Sequence, residues 1–87
     1  MRVYDLIFSD TALQQLKKLE RQVQERVIKA LERIRIRPES YVQKLVGDRA
    51  YKLRVGDYRV LMDIDLGKLQ ILIIKIGPRK NVYDKIR

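Results

Sequence analysis

Tyr51-Lys52-Leu53-Arg54-Val55-Gly56-Asp57-Tyr58-Arg59-Val60-Leu61-Met62-Asp63 has the pattern of a β-hairpin. Apolar and charged residues alternate on both sides of Gly56-Asp57, the period of a strand with unlike faces. Tyr51, Leu53 and Val55 point one way, and Lys52 and Arg54 the other. Beyond the turn, Tyr58, Val60 and Met62 separate from Arg59, Leu61 and Asp63. A two-residue connection at Gly56-Asp57 sets the register of the predicted hairpin. Val55 then faces Tyr58 and Arg54 faces Arg59, with Lys52 two residues along on the same side. Like charges directly opposed across a strand pair are destabilising, and folds normally separate them. Three cations on one face therefore imply either a well-solvated surface or a site built for an anion.

After the hairpin, Asp65-Leu66-Gly67 reads as a second turn. A strand follows from about Lys68 to Ile76, whose near-continuous Leu69, Ile71, Leu72, Ile73 and Ile74 suggest burial on both faces and a central position. Gly77-Pro78 is expected to break it, leaving a short basic tail. On the N-terminal side, a loop is expected to run to about Gly47 from Arg37-Pro38, where proline stops a helix. Two amphipathic helices precede that stop, one marked by Leu13, Leu16 and Leu19, the other by Val23, Val27, Ala30, Leu31 and Ile34. No Gly or Pro separates them, but the two apolar stripes do not share one axis. Val3 to Phe8 reads as a strand, with Ser9 the helix N-cap after it. The order predicts an α+β fold: an N-terminal strand, a helical hairpin, then an antiparallel three-strand meander, with the helices packed on one face of the sheet. A first strand joined beside the last would make the connection through the helices a crossover.

The chain has 87 residues, read as a single domain over 1–87. Twenty Lys and Arg against eleven Asp and Glu give a net charge of +9, which points to a polyanionic partner. Residues 1–41 carry nine basic against six acidic residues, +3, and residues 42–87 eleven against five, +6, so the sheet half holds most of the excess. Cysteine and histidine are both missing, which removes thiolate chemistry, the commonest metal ligand and the commonest neutral-pH base. Catalysis, if any, must use Lys, Arg, Tyr or carboxylates. Asp57, Asp63 and Asp65 fall at or near turns, so no metal site and no cofactor is expected. No apolar stretch has signal-peptide or membrane-spanning character, and a cytoplasmic location is expected.

Lys52, Arg54 and Arg59 share a face, Arg79 lies just past the last strand, and Tyr83 follows four residues later. Arginine forks match phosphate oxygens, lysine supplies a mobile charge, and tyrosine offers a stacking surface and a hydroxyl. The plain alternative is an ordinary solvated face of a basic protein. Arg59 and Arg79 also sit where sheet packing does not need them, so their removal is expected to cost little stability.

Leu45 to Gly47, Tyr51 to Val60, and Ile76-Gly77-Pro78-Arg79-Lys80-Asn81-Val82-Tyr83 together resemble the RelE family of toxin–antitoxin toxins, especially its archaeal members. The resemblance spans nearly the whole chain. It implies a small endoribonuclease that cuts messenger RNA in the ribosomal A site, held inactive by a RelB-like antitoxin that folds as it binds. The family's functional basic residues fall on Lys52, Arg54, Arg59 and Arg79, and its functional tyrosine on Tyr83. Lys44, Arg49, Lys75 and Lys80 are expected to contact the RNA backbone. Many relatives have His where this chain has Pro78, so histidine-based chemistry is not available here. The implied reaction is attack by the RNA's own 2′-hydroxyl. Clustered positive charge disfavours a protonated lysine, which makes Lys52 the expected base. Arg59 and Arg79 would neutralise the phosphate, Arg54 would assist, and Tyr83 would stack on a base. Two alternatives remain: a non-enzymatic RNA- or ribosome-binding module, and a ParE-type toxin directed at DNA gyrase.

Overall fold

The computed structural model of the chain describes residues 3–78. Strand β1 (Asp5–Phe8) is followed by helices α1 (Asp10–Lys18) and α2 (Arg21–Ile34), a 3-10 turn over Pro38–Ser40, and strands β2 (Gln43–Lys44), β3 (Tyr51–Val55), β4 (Tyr58–Asp65) and β5 (Gln70–Pro78). The strands form one mixed sheet in the order β1-β5-β4-β3-β2, antiparallel except where β1 runs parallel to β5. The expected meander and crossover are both present. Strand β2 is an addition, since Gln43 and Lys44 fall in the stretch read as loop. Their pairing with Lys52 and Tyr51 makes them the edge of the sheet.

The helix break after α1 has a cause that needs neither Gly nor Pro. Leu19 and Glu20 are both extended (ψ 152° and 148°), and the Gln24 side-chain amide, one turn into α2, donates to the carbonyls of Lys17 and Leu19 at 3.1 and 3.0 Å. Carbonyls orphaned at the end of α1 are thereby satisfied from α2. At the other end, Ser9 caps α1 as expected, its Oγ accepting from the Ala12 amide at 3.0 Å. Lys17 and Lys18 in the last turn favour the helix dipole. The first apolar stripe is corrected in one place: Ala12 and Leu16 face the core, whereas Leu13 is 40% exposed. Arg35 ties α2 to β1, its Nε donating to the Tyr4 carbonyl while the Tyr4 amide donates to the Arg35 carbonyl, both at 2.8 Å.

One layer of core lies between helices and sheet, built from Val27, Leu31 and Ile34 of α2, Ala12 and Leu16 of α1, and Leu53, Val60, Met62, Ile71, Ile73 and Ile76 of the strands. The central position of β5 stands, but not its burial on both faces: Leu72 points to the uncovered side and is 39% exposed. The strand also begins two residues later than expected, because Leu69 takes a positive φ of 52° and the Asp65 carboxylate accepts from the Lys68 amide at 3.0 Å, closing the turn. It runs on through Gly77 and Pro78 rather than breaking there, and a proline at a strand's last residue removes no interior ladder bond. A bulge interrupts the β4–β5 ladder: Leu61 pairs with Lys75 and Met62 with Ile73, leaving Ile74 as the extra residue.

The β3–β4 turn is the expected two-residue connection, with Val55 paired to Tyr58. Gly56 has φ +59°, and a Cβ there would stand 3.1 Å from the Arg26 Nη1 at the end of a flexible side chain. Arg26 can move aside, so Gly56→Ala meets mainly the backbone penalty of a left-handed residue, about 1 kcal/mol. A fall in thermal midpoint of roughly 4–8 °C is the expected result in a melting experiment.

Candidate functional site

The side of the sheet away from the helices carries the residues of interest, and the pairing arranges them in rows. Nearest the β3–β4 turn, Arg54 pairs with Arg59 and Arg59 with Gly77. In the next row Gln43 pairs with Lys52, Lys52 with Leu61 and Leu61 with Lys75. A third row runs Asp63, Leu72, Ile7, and a fourth Asp65, Gln70, Asp5. Charge on this face is therefore graded, with cations at the hairpin end, then Leu72 and Ile7 beside a first carboxylate, Asp63, then Asp65 and Asp5. A polyanion laid on this face is drawn to the first two rows and repelled from the last. Among the described residues, no group of three or more His, Cys, Asp or Glu could hold a metal ion.

Arg54 is exposed and its Nε reaches the Gly56 carbonyl at 3.5 Å, a long contact that leaves the guanidinium near the turn. Arg59 differs from expectation. It is only 6% exposed and stands between a second arginine and a glycine that contributes no side chain. The expectation that sheet packing does not need Arg59 is thus revised. Strand spacing is roughly 4.8 Å, which puts the backbones of Lys52 and Lys75 on the order of 10 Å apart across Leu61. Leu61 is 2% exposed and lies outside the helix-side core, so it forms an apolar floor between the two half-buried lysines.

The structure brings together Lys52, Arg54, Arg59 and Lys75. It places Lys44 and Arg49 elsewhere. Lys44 pairs with Tyr51, whose face is the helix-covered one, and both cations line a cavity of about 400 Å³ with Tyr51, Asp63, Asp65 and Leu66. Arg79, Lys80 and Tyr83 lie outside the described residues. Gln43, beside Lys52, is a polar neighbour that the sequence did not reveal. Its only advance signal was a polar residue following the apolar Val42, too short a pattern to mark a strand.

Comparison with known proteins agrees with this architecture. The model of the family described as the ParE toxin of the type II toxin–antitoxin system parDE matches residues 6–83. No curated protein matches the chain significantly. Among solved structures, the RelBE2 toxin–antitoxin complex of Mycobacterium tuberculosis is similar at TM-score 0.81 and 25% identity, over 88% of this chain and 99% of that one. The intact Escherichia coli RelBE complex is similar at TM-score 0.74 and 31% identity, over 86% and 95%. Free E. coli RelE with two arginines replaced by alanine is similar at TM-score 0.77 and 30% identity, over 94% and 92%. With most of its length matched by the family model and by RelE at this identity, the chain belongs to the RelE/ParE superfamily of toxins of toxin–antitoxin systems.

Proposed function

We propose that this toxin is a metal-independent endoribonuclease that cuts messenger RNA in the ribosomal A site in the cytoplasm, and that Lys52, Arg54, Arg59, Arg79 and Tyr83 carry the reaction. The observation that supports it most is the opposition of Arg54 to Arg59 on the uncovered face with Lys52 in the adjacent row, an arrangement that sheet energetics disfavour without an anion. In this reading Lys52 takes the proton of the 2′-hydroxyl, and the 2′-oxygen attacks phosphorus. The arginines stabilise the charge that builds on the pentacoordinate phosphate. The bond to the 5′-oxygen breaks and that oxygen takes up a proton, leaving a 2′,3′-cyclic phosphate and a 5′-hydroxyl. Tyr83 stacks on a base beside the cut and holds the sugar for in-line attack. Lys75 flanks the site as a phosphate contact, and Lys80 serves the same end.

The partner in this reading is a RelB-like antitoxin, as in the solved RelBE complexes, acidic or mixed in charge and folding as it binds. The match to the ParE family model favours one other reading, inhibition of DNA gyrase. Ribosomes programmed with a defined message separate these. Cleaved message with 5′-hydroxyl ends and normal supercoiling by gyrase are expected. An intact message at saturating toxin, with or without slowed translation, overturns the nuclease. Loss of supercoiling establishes the gyrase reading.

A further inference from the structure

We propose that Gln15 is a positioning residue for the cationic face: its side-chain oxygen holds the β5 bulge that turns Lys75 and Gly77 toward Lys52 and Arg59. The proposal rests on the reading of that face as the reaction site. In an unbroken strand, alternate residues share a face. Ile71 and Ile73 face the helices, so without a bulge Lys75 and Gly77 would face them too, and Ile74 and Ile76 would lie on the uncovered side. The observed pairing is the reverse beyond the bulge. Ile76 is 1% exposed in the core and pairs with Val60, while Lys75 pairs with Leu61 and Gly77 with Arg59. One extra residue at Ile74 thus removes a charge from the core side. It also puts glycine, in place of a bulky isoleucine, against Arg59.

The bulge falls where β5 loses its neighbour. The last β1 pair is Phe8 with Ile73, and from that point the polar groups on this edge of β5 are met by the start of α1. The Ser9 amide donates to the Ile73 carbonyl and the Ser9 Oγ to the Ile74 carbonyl, both at 2.9 Å. Gln15, one and a half turns into α1, accepts from the Ile76 amide through its Oε1 at 2.7 Å. That short bond fixes the first core-facing residue after the bulge. Ser9 also caps α1, so its replacement would disturb two things at once. Gln15 offers the cleaner test.

Gln15→Met keeps a strong helix former and removes the acceptor, whereas Gln15→Glu retains an oxygen in the same place. Each variant is compared with wild type by thermal melting, Ile76 amide exchange, the cross-strand Leu61–Lys75 contact by NMR, affinity for a 2′-deoxy message, and single-turnover cleavage. Gln15→Met is expected to speed Ile76 exchange about tenfold or more and to lose the Leu61–Lys75 contact. It should weaken RNA affinity several-fold and lower the cleavage rate by about 10- to 100-fold. Gln15→Glu should restore the contact, the affinity and the rate. An unchanged contact in Gln15→Met, an unchanged rate despite a lost contact, or equal losses in both variants would each overturn the proposal. If the wild-type chain cleaves no message, the nuclease reading falls by itself. Gln15 is then judged on register and RNA affinity, and wild-type values of either in Gln15→Met would overturn its role.

Discussion

Arg59→Ala is expected to lower single-turnover cleavage of ribosome-bound message by about 10²- to 10³-fold, the size of loss seen when one preorganised group that stabilises a transition-state charge is removed. Among the described cations of the set, Arg59 has the least solvent around it, at 6% exposure, and a charge held in such surroundings acts on a phosphate more strongly than one in water. Because its stem is packed into the face, the variant should also melt a few degrees lower, in contrast to exposed Arg54→Ala, whose stability should stay within about 0.5 kcal/mol of wild type. Arg59→Lys keeps the charge but not the planar fork, and should recover the melting temperature without recovering the rate. Cleavage by Arg59→Ala at the wild-type rate would remove this residue from the site.

A message carrying a 2′-O-methyl or 2′-deoxy sugar immediately 5′ of the cut is expected to resist cleavage altogether, a loss of more than about 10³-fold, because the attacking oxygen is blocked or missing. Binding should persist, since the phosphates that the cations recognise are unchanged. With unmodified message, Lys52→Ala should lower the rate by about 10²- to 10⁴-fold, the usual contribution of a positioned proton-transfer group. Cleavage of the modified message at the normal rate would mean that another nucleophile is used and that the roles given to Lys52 and its neighbours are wrong.

Much of the fold was legible in the sequence, because strong patterns come from burial. The hairpin register, with Arg54 against Arg59, followed from alternation and a two-residue turn, and the second helix from an apolar stripe at the right period. The features that escaped are those where burial is not the cause. Strand β2 is two exposed polar residues that pair with Lys52 and Tyr51. The burial of Arg59 depends on a glycine that lies eighteen residues later in sequence, opposite it across the ladder. In Ile73-Ile74-Lys75-Ile76, one isoleucine too many looks like a strand buried on both sides, and nothing local distinguishes that from a bulge. The Ser9 and Gln15 side chains that meet the bulge are more than sixty residues away. The placing of Leu13 missed for a smaller reason, since Ala12 and Leu13 fit the stripe almost equally well.

Strand order also governs when this toxin can exist as a folded object. Strand β5, which supplies Ile71, Ile73 and Ile76 to the core and pairs with both β1 and β4, is the last of the five to leave the ribosome. Until then β1 has no neighbour to pair with, and its contacts, such as Asp5 with Gln70, span most of the sequence. Such long-range pairings form late and slowly. A nascent chain that has emerged only as far as β4 has helices and a hairpin but neither the sheet centre nor the Leu61–Lys75 row. A toxin of this topology thereby cannot assemble the Leu61–Lys75 row until β5 is complete, by geometry alone.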